Sequence, residues 1–228
     1  HFACNHKILL LQLSLQMSVE VERKFLFSAD TLKKLEEIGA LCIGQTQFHD
    51  QYFDTPEFDL TLRDTWLRKR EGCWELKCPT APLGEQCEAA ALCTRYKEIT
   101  SLADIQLRVQ EVIKDRDTET SASLLDERWL SKMNLVCFAE FTTVRRSYRL
   151  QQEGVKIDLD QADFDYSVGE VEVIVPEGGD VQSALERIEQ AAQKLGLNGD
   201  KRIEGKMDVY LKKHHPQHYM KLVSEHIL

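Results

Sequence analysis

The stretch Met17–Phe25, MSVEVERKF, sets Glu20, Glu22 and Lys24 on every second position, with Val19, Val21 and Phe25 in between. A β-strand sends successive side chains to opposite faces, so this segment reads as a strand with one charged face and one apolar face. A single such strand is ordinary, because a charged face can simply meet water. The question is whether the pattern repeats.

It repeats along most of the chain. Residues 46–55, 65–71, 73–79, 94–99, 141–150, 155–161 and 168–175 all alternate or are rich in β-branched and aromatic residues, which with the first segment predicts about eight strands. Arg68 and Arg70, Glu75 and Lys77, Arg145 and Ser147, Asp158 and Asp160, and Glu170 and Glu172 repeat the two-residue step. Leu67, Trp74, Leu76, Ile157, Leu159, Val171 and Val173 fill the opposite faces. Gly72 and Gly154 mark tight antiparallel connections. Between strands, Asp180 caps an amphipathic helix that Gly196 ends. Shorter helical patterns cover 30–39, 101–114, 122–131 and about 201–212.

Closing about eight such strands puts one set of faces inside a barrel and the other outside. With helices covering the apolar set, the interior becomes a tunnel with carboxylates on one wall and lysine and arginine on the other. Two carboxylates two residues apart on a strand are separated by about 6.6 Å, and at an effective dielectric near 20 they repel by roughly 2.5 kcal/mol. An enclosed Glu-x-Glu pair therefore wants a cation, and hard oxygen ligands suit magnesium or manganese better than zinc. The basic wall wants an anion such as a phosphate chain carrying its own metal. Neither G-x-x-x-x-G-K-[ST] nor G-x-G-x-x-G is present.

Composition narrows the remaining classes. The 228 residues are 43% hydrophobic and 29% charged, enough for one large α+β domain, and the net charge of −9 opposes a general nucleic-acid-coating surface. Seven irregularly spaced cysteines and no paired C-x-x-C spacing fit reduced thiols in the cytoplasm. The apolar run Ile8–Leu13 is far shorter than the ~20 residues that span a bilayer. Residues 1–16 are expected to be an extension outside the fold, 17–215 the domain, and 216–228, which begin with PQH, a solvated tail. The stretch 81–93 fits no pattern beyond a loop at a tunnel mouth.

VEVERKF resembles the E-x-E-x-K signature of the CYTH, or triphosphate tunnel metalloenzyme, superfamily. QYFDTPE, WLRKRE, WELKCP, YKE, VRRSYR, DLDQADFDYSVGEVEV and KMDVYL follow in the order of its animal thiamine triphosphatase branch, from Ser18 to about Leu211. That resemblance implies a closed antiparallel eight-stranded barrel with helices outside. It also implies magnesium-dependent hydrolysis of thiamine triphosphate to the diphosphate and phosphate, with manganese a possible substitute.

Carried over position by position, the resemblance implies that Glu20, Glu22, Asp158, Glu170 and Glu172 bind metal. Lys24, Arg68, Arg70, Lys77, Lys97, Arg145 and Lys206 would hold the triphosphate, and Trp66 would stack on the cationic thiazolium ring. Asp160 is not carried over. Lys77, assisted by Tyr52, is expected as general base, which requires its pKa to be lowered by neighbouring cations. The expected partner is the small-molecule substrate, with no nucleic acid, no membrane and a monomeric state. Two alternatives stay open: another triphosphate chemistry of the superfamily, inorganic triphosphatase or adenylyl cyclase, and a module that binds polyphosphate without turnover.

Overall fold

In the computed structural model, which describes residues 17–80, 91–113, 128–199 and 201–228, strand β1 (Met17–Phe25) is paired along both edges. Its neighbours are β5 (Cys93–Ile99) and β8 (Tyr166–Pro176). The other strands are β2 (Leu41–Asp54), β3 (Trp66–Arg70), β4 (Cys73–Pro79), β6 (Val136–Leu150) and β7 (Val155–Ala162). Every pairing is antiparallel, and the order β1-β5-β4-β3-β2-β6-β7-β8 closes into a barrel. Closure leaves these strands no open edge.

The local chemistry accounts for the connections. Arg70 pairs with Cys73, so Glu71 and Gly72 alone make the β3–β4 turn, and both have positive φ, 47° and 83°. Two left-handed residues give the hairpin turn whose twist matches its strands, and glycine adopts that conformation without a steric penalty. β2 and β6 run longer than their alternating segments suggest, starting at Leu41 and Val136, because they pair with each other through register shifts at Cys42/Gly44 and Tyr52/Phe53. A bulge resets which side chains face inward, so strict alternation loses track of such a strand.

The apolar faces point outward, under helices. Helix α4 (Val181–Leu195) is capped by Asp180, whose side chain accepts from the Ser183 N–H at 3.0 Å, and ends at left-handed Gly196. Its Ala184, Leu185, Ile188 and Ala191 pack on Val21, Ile157, Val171 and Val173. Fully burying one such aliphatic side chain contributes about 1.5–3 kcal/mol. Helix α1 (Ala29–Glu37) adds Leu35 to this cluster. Helices α2 (Leu102–Ile113) and α3 (Arg128–Lys132) place Ile105, Val109 and Trp129 over Leu67, Leu76 and Ile99 of the opposite side. The 122–127 part of the expected 122–131 helix and residues 1–16 and 81–90 lie outside the described residues.

Two C-terminal helices pack beside the start of β3 and reach the barrel cavity. Helix α5 (Lys206–His214) starts later than the expected 201–212 helix, and α6 (Pro216–Ser224) replaces the solvated tail expected over 216–228. Pro216 occupies the first turn of α6, where its missing N–H is not needed. Leu211 and Leu222 are fully buried in a cluster with Trp66, and His218 is buried as well. Among the described residues, no helix is long and apolar enough to cross a membrane.

Candidate active site

The strand registers fix which side chains share the lumen. On β1, Glu22 stands opposite Glu172 and Lys24 opposite Glu170, while β7 places Asp158 opposite Glu170. Carboxylate oxygens of Asp158, Glu170 and Glu172 come within 4.8 Å of one another, and all three residues are buried. β3 stands four strands from β8 in either direction around the ring, and it carries Arg68 and Arg70. Glu20, Glu22, Lys24, Tyr52, Trp66, Arg68, Arg70, Lys77, Arg145, Glu170 and Lys206 thus line one cavity of about 140 Å³.

Within each wall, the cations are held by acids of the same or nearby strands. Arg145 on β6 donates to Asp160 at 2.6 and 2.7 Å and to Glu170 at 2.9 Å, and lies 2.5 Å from Asp158. Arg70 donates to Asp50 at 2.6 and 2.8 Å, and its guanidinium lies 3.8 Å from the ring centre of Phe48. Arg68 is held by Glu75 and reaches the Tyr52 hydroxyl at 3.5 Å. Lys24 pairs with Glu22, and Lys77 pairs with Glu20 and lies 3.4 Å from Glu98. Lys156 bridges Asp158 at 2.6 Å and Glu172 at 2.9 Å. Lys206, the first residue of α5, reaches the lumen, where it pairs with Asp160 and lies 3.5 Å from Glu170.

Burial and neighbouring charge divide the acids. Burial pushes the Glu20 carboxyl up to about 8; Lys77 opposes the rise, while Glu22, Glu98 and Glu172 add to it. Glu172 is also raised by burial, with Lys156 opposing. For Glu170, burial acts upward, but Lys206, Arg145, Lys24 and Lys77 outweigh it and hold the carboxyl well below its ordinary value. This wall therefore pairs readily ionised and proton-retaining groups within hydrogen-bonding reach of lysine and arginine.

Two expectations are corrected. Lys97 is not a lumen residue: it pairs in register with Val19 and Cys78 and donates to Glu177 at 2.8 Å on the exterior. The inward set on β5 is Thr94, Tyr96 and Glu98, opposite Glu22, Glu20 and Ser18. TRYKEI carries polar residues on both faces, so alternation could not choose between them. Lys77 is not lowered toward neutrality. Burial acts that way, but Glu20, Glu22 and Glu98 outweigh it and hold the ammonium well above its ordinary value. Its nearest partners are acids rather than the cations expected.

Sequence reasoning missed Asp50 and passed over Asp160, both fully buried, which orient Arg70 and Arg145. Asp50 lies in step with Phe48 and Tyr52, and that alternation was its available signal. Tyr96 and Asp64 were also missed. Their signal is spatial, because they come together only when β3 and β5 flank β4.

The CYTH domain pattern matches residues 18–205. The chain belongs to the CYTH family. Thiamine-triphosphatases of Macaca fascicularis and Homo sapiens are each 36% identical to it over 218 residues, covering 90% of this chain and 90% of the relative. A protein of Pyrococcus horikoshii OT3 shares the fold at 19% identity and a TM-score of 0.55, over 86% of this chain and 99% of that one. A Hippeastrum protein described as having a dominant triphosphatase activity is 18% identical with a TM-score of 0.50, over 86% of this chain and 95% of that one. The CYTH barrel thus matches the closed eight-stranded architecture that the alternating faces predict.

The acidic cluster of this CYTH chain fits a hard divalent cation. Its donors are all carboxylate oxygens, the ligands such an ion prefers, and Arg145 and Lys156 now supply the counter-charge that an ion in that position would take over.

Proposed function

We propose that this CYTH protein hydrolyses thiamine triphosphate to thiamine diphosphate and orthophosphate, with magnesium as its divalent cation and manganese as a substitute. The observation that carries this reading is one cavity lined by Glu20, Glu22, Glu170, Arg68, Arg70 and the indole of Trp66, with Asp158 and Glu172 clustered on Glu170 four strands around the ring from β3. The curated relatives named thiamine-triphosphatase support the choice of substrate.

Asp158, Glu170 and Glu172, with Glu20 and Glu22 beside them on β1, would hold the ion. Bound there, magnesium supplies Lewis-acid polarisation of phosphate oxygens and acidifies a water. Arg68, Arg70, Arg145, Lys24, Lys77 and Lys206 bind the phosphates and meet the charge spread over the transferred phosphoryl group. Asp50 and Asp160 keep two of those guanidiniums aimed, so little reorganisation is needed as charge develops. Lys77 serves as a fixed ammonium and Tyr52 steadies Arg68. Trp66 presents a ring face to the thiazolium cation, an attraction of about 0.5–2 kcal/mol.

We place the protein in the cytoplasm as a monomer, with no nucleic-acid or membrane partner. The odd number and irregular spacing of its seven cysteines support a reducing compartment. Helices of the same chain cover the apolar barrel faces, which supports the monomer.

Phosphate release from thiamine triphosphate, inorganic triphosphate and ATP, with magnesium and then with EDTA, tests the proposal. Magnesium-dependent preference for thiamine triphosphate is the expected result. Equal or better use of inorganic triphosphate would reject the thiamine assignment, and binding without release would reject catalysis.

A further inference from the structure

Asp64 lies two residues before Trp66, at the end of the short 3-10 turn Thr61–Arg63. Its backbone is left-handed, φ 52° and ψ 33°, and its N–H donates to the Thr61 carbonyl at 3.0 Å. Aspartate is among the few side chains that tolerate this conformation. The turn aims the carboxyl at two rings. Asp64 Oδ1 accepts from Trp66 Nε1 at 2.9 Å and from the Tyr96 hydroxyl at 2.8 Å.

Trp66 begins β3 and Tyr96 sits in β5, with β4 between them, so one oxygen ties together strands that do not pair. Both rings line the lumen, and Leu211 and Leu222 pack against Trp66 as part of its cluster. An indole held at its N–H by a fixed acceptor cannot turn its edge to the lumen. A carboxylate accepting from both rings also pushes electron density into them, which strengthens their attraction for a cation. Burial raises the Asp64 carboxyl; the bonds from Trp66 and Tyr96 and the nearby Arg202 oppose the rise, and Asp208 adds to it.

We propose that Asp64 is a specificity-determining positioning residue, which locks Trp66 and Tyr96 into one wall for the cationic ring of the substrate. This rests on the thiamine triphosphate reading. The effect belongs to the organic group and not to the phosphates, which Arg68, Arg70 and Arg145 of the same cavity meet. A merely structural Asp64 would alter every substrate alike.

The test is the ratio of kcat/KM for thiamine triphosphate over inorganic triphosphate in wild type, Asp64→Ala and Asp64→Asn. General loss of folded protein cancels in that ratio, and asparagine keeps an oxygen acceptor while removing the charge. Asp64→Ala is expected to lower the ratio about tenfold, mainly through KM for thiamine triphosphate. Asp64→Asn should fall between Ala and wild type, which assigns part of the effect to charge. A wild-type preference that survives Asp64→Ala within about twofold overturns the inference alone. A wild type without preference overturns the thiamine reading, and the inference with it.

Discussion

Arg145 and Asp160 form a two-pronged pair, with parallel hydrogen bonds of 2.6 and 2.7 Å, on adjacent strands of the barrel interior. Asp160 also pairs with Lys206 from α5, so one fully buried carboxylate orients two cations from two different elements. Asp160→Asn keeps the size but removes the charge that aims both groups. Affinity for any triphosphate is expected to fall about tenfold, since hydrogen bonds to charged groups are each worth about 1.5–3 kcal/mol. Calorimetric titration with inorganic triphosphate checks this; unchanged affinity would show that Arg145 and Lys206 need no orienting partner.

Glu172 and Asp158 share the Lys156 ammonium and belong to the acidic trio. Glu172→Gln should raise the magnesium concentration for half-maximal phosphate release by tenfold or more, on the order of 1.4 kcal/mol. If the magnesium response stays where it was in wild type, Glu172 has no part in holding the ion.

Lys77 and Lys97 make a matched comparison, because both are lysines on neighbouring strands and only Lys77 faces the lumen. Lys77→Ala is expected to lower kcat/KM by about a hundredfold or more, as removal of a group that meets developing charge does. Lys97→Ala should stay within about twofold, the range of a change of ~0.4 kcal/mol. Equal losses would overturn the assignment of faces on β5.

His218 is buried, stacked on Phe58 with ring centres 3.7 Å apart, and its Nε2 lies 2.8 Å from the hydroxyl of Thr61. Burial, with His215 and Lys221 adding, pushes its pKa down to about 4 from 6.5. Between these values the unfolded chain binds a proton that the folded chain does not, so stability rises with pH through this window. The contribution is complete above 6.5 and is lost as pH falls toward 4. Denaturant unfolding at a series of pH values should show this slope, and His218→Asn should flatten it; an unaltered slope would exclude His218 as its source.

Ile188 is fully buried where α4 meets the outer face of the barrel. Ile188→Ala should destabilise the fold by about 2–5 kcal/mol, the range for such truncations in a packed core. A loss below ~1 kcal/mol in urea unfolding would mean that this interface repacks freely.

The barrel was legible in the sequence wherever one face stayed apolar and the other charged, as in Met17–Phe25 and Val168–Val175. Lys24, Arg68, Arg70 and Arg145 inherited their direction from that pattern and reach the lumen as expected. Reading failed where alternation carries no contrast or is reset. TRYKEI, polar on both faces, gave no contrast to check Lys97, which the resemblance alone assigned; Asp50 was passed over although it alternates with Phe48 and Tyr52 between the two bulges of β2. The Lys77 environment failed for another reason. Sequence order shows that acids and bases alternate around a ring, but not which of them stand side by side once the strands take their spatial order. The last helix was missed because its histidine-rich start was read as a solvated tail, whereas Pro216 begins a helix there.

The paired walls have a consequence for what the tunnel admits. At rest, its arginines and lysines already have carboxylate partners, so an arriving guest must exchange partners rather than fill a vacancy. A polyanion that brings its own divalent cation can do this evenly, its oxygens taking the guanidiniums as its metal takes the released acids. A bare polyanion would strand those acids, and a bare metal would strand the bases. A ring whose charges are already paired thus favours a guest that brings both signs of charge over one that brings a single sign.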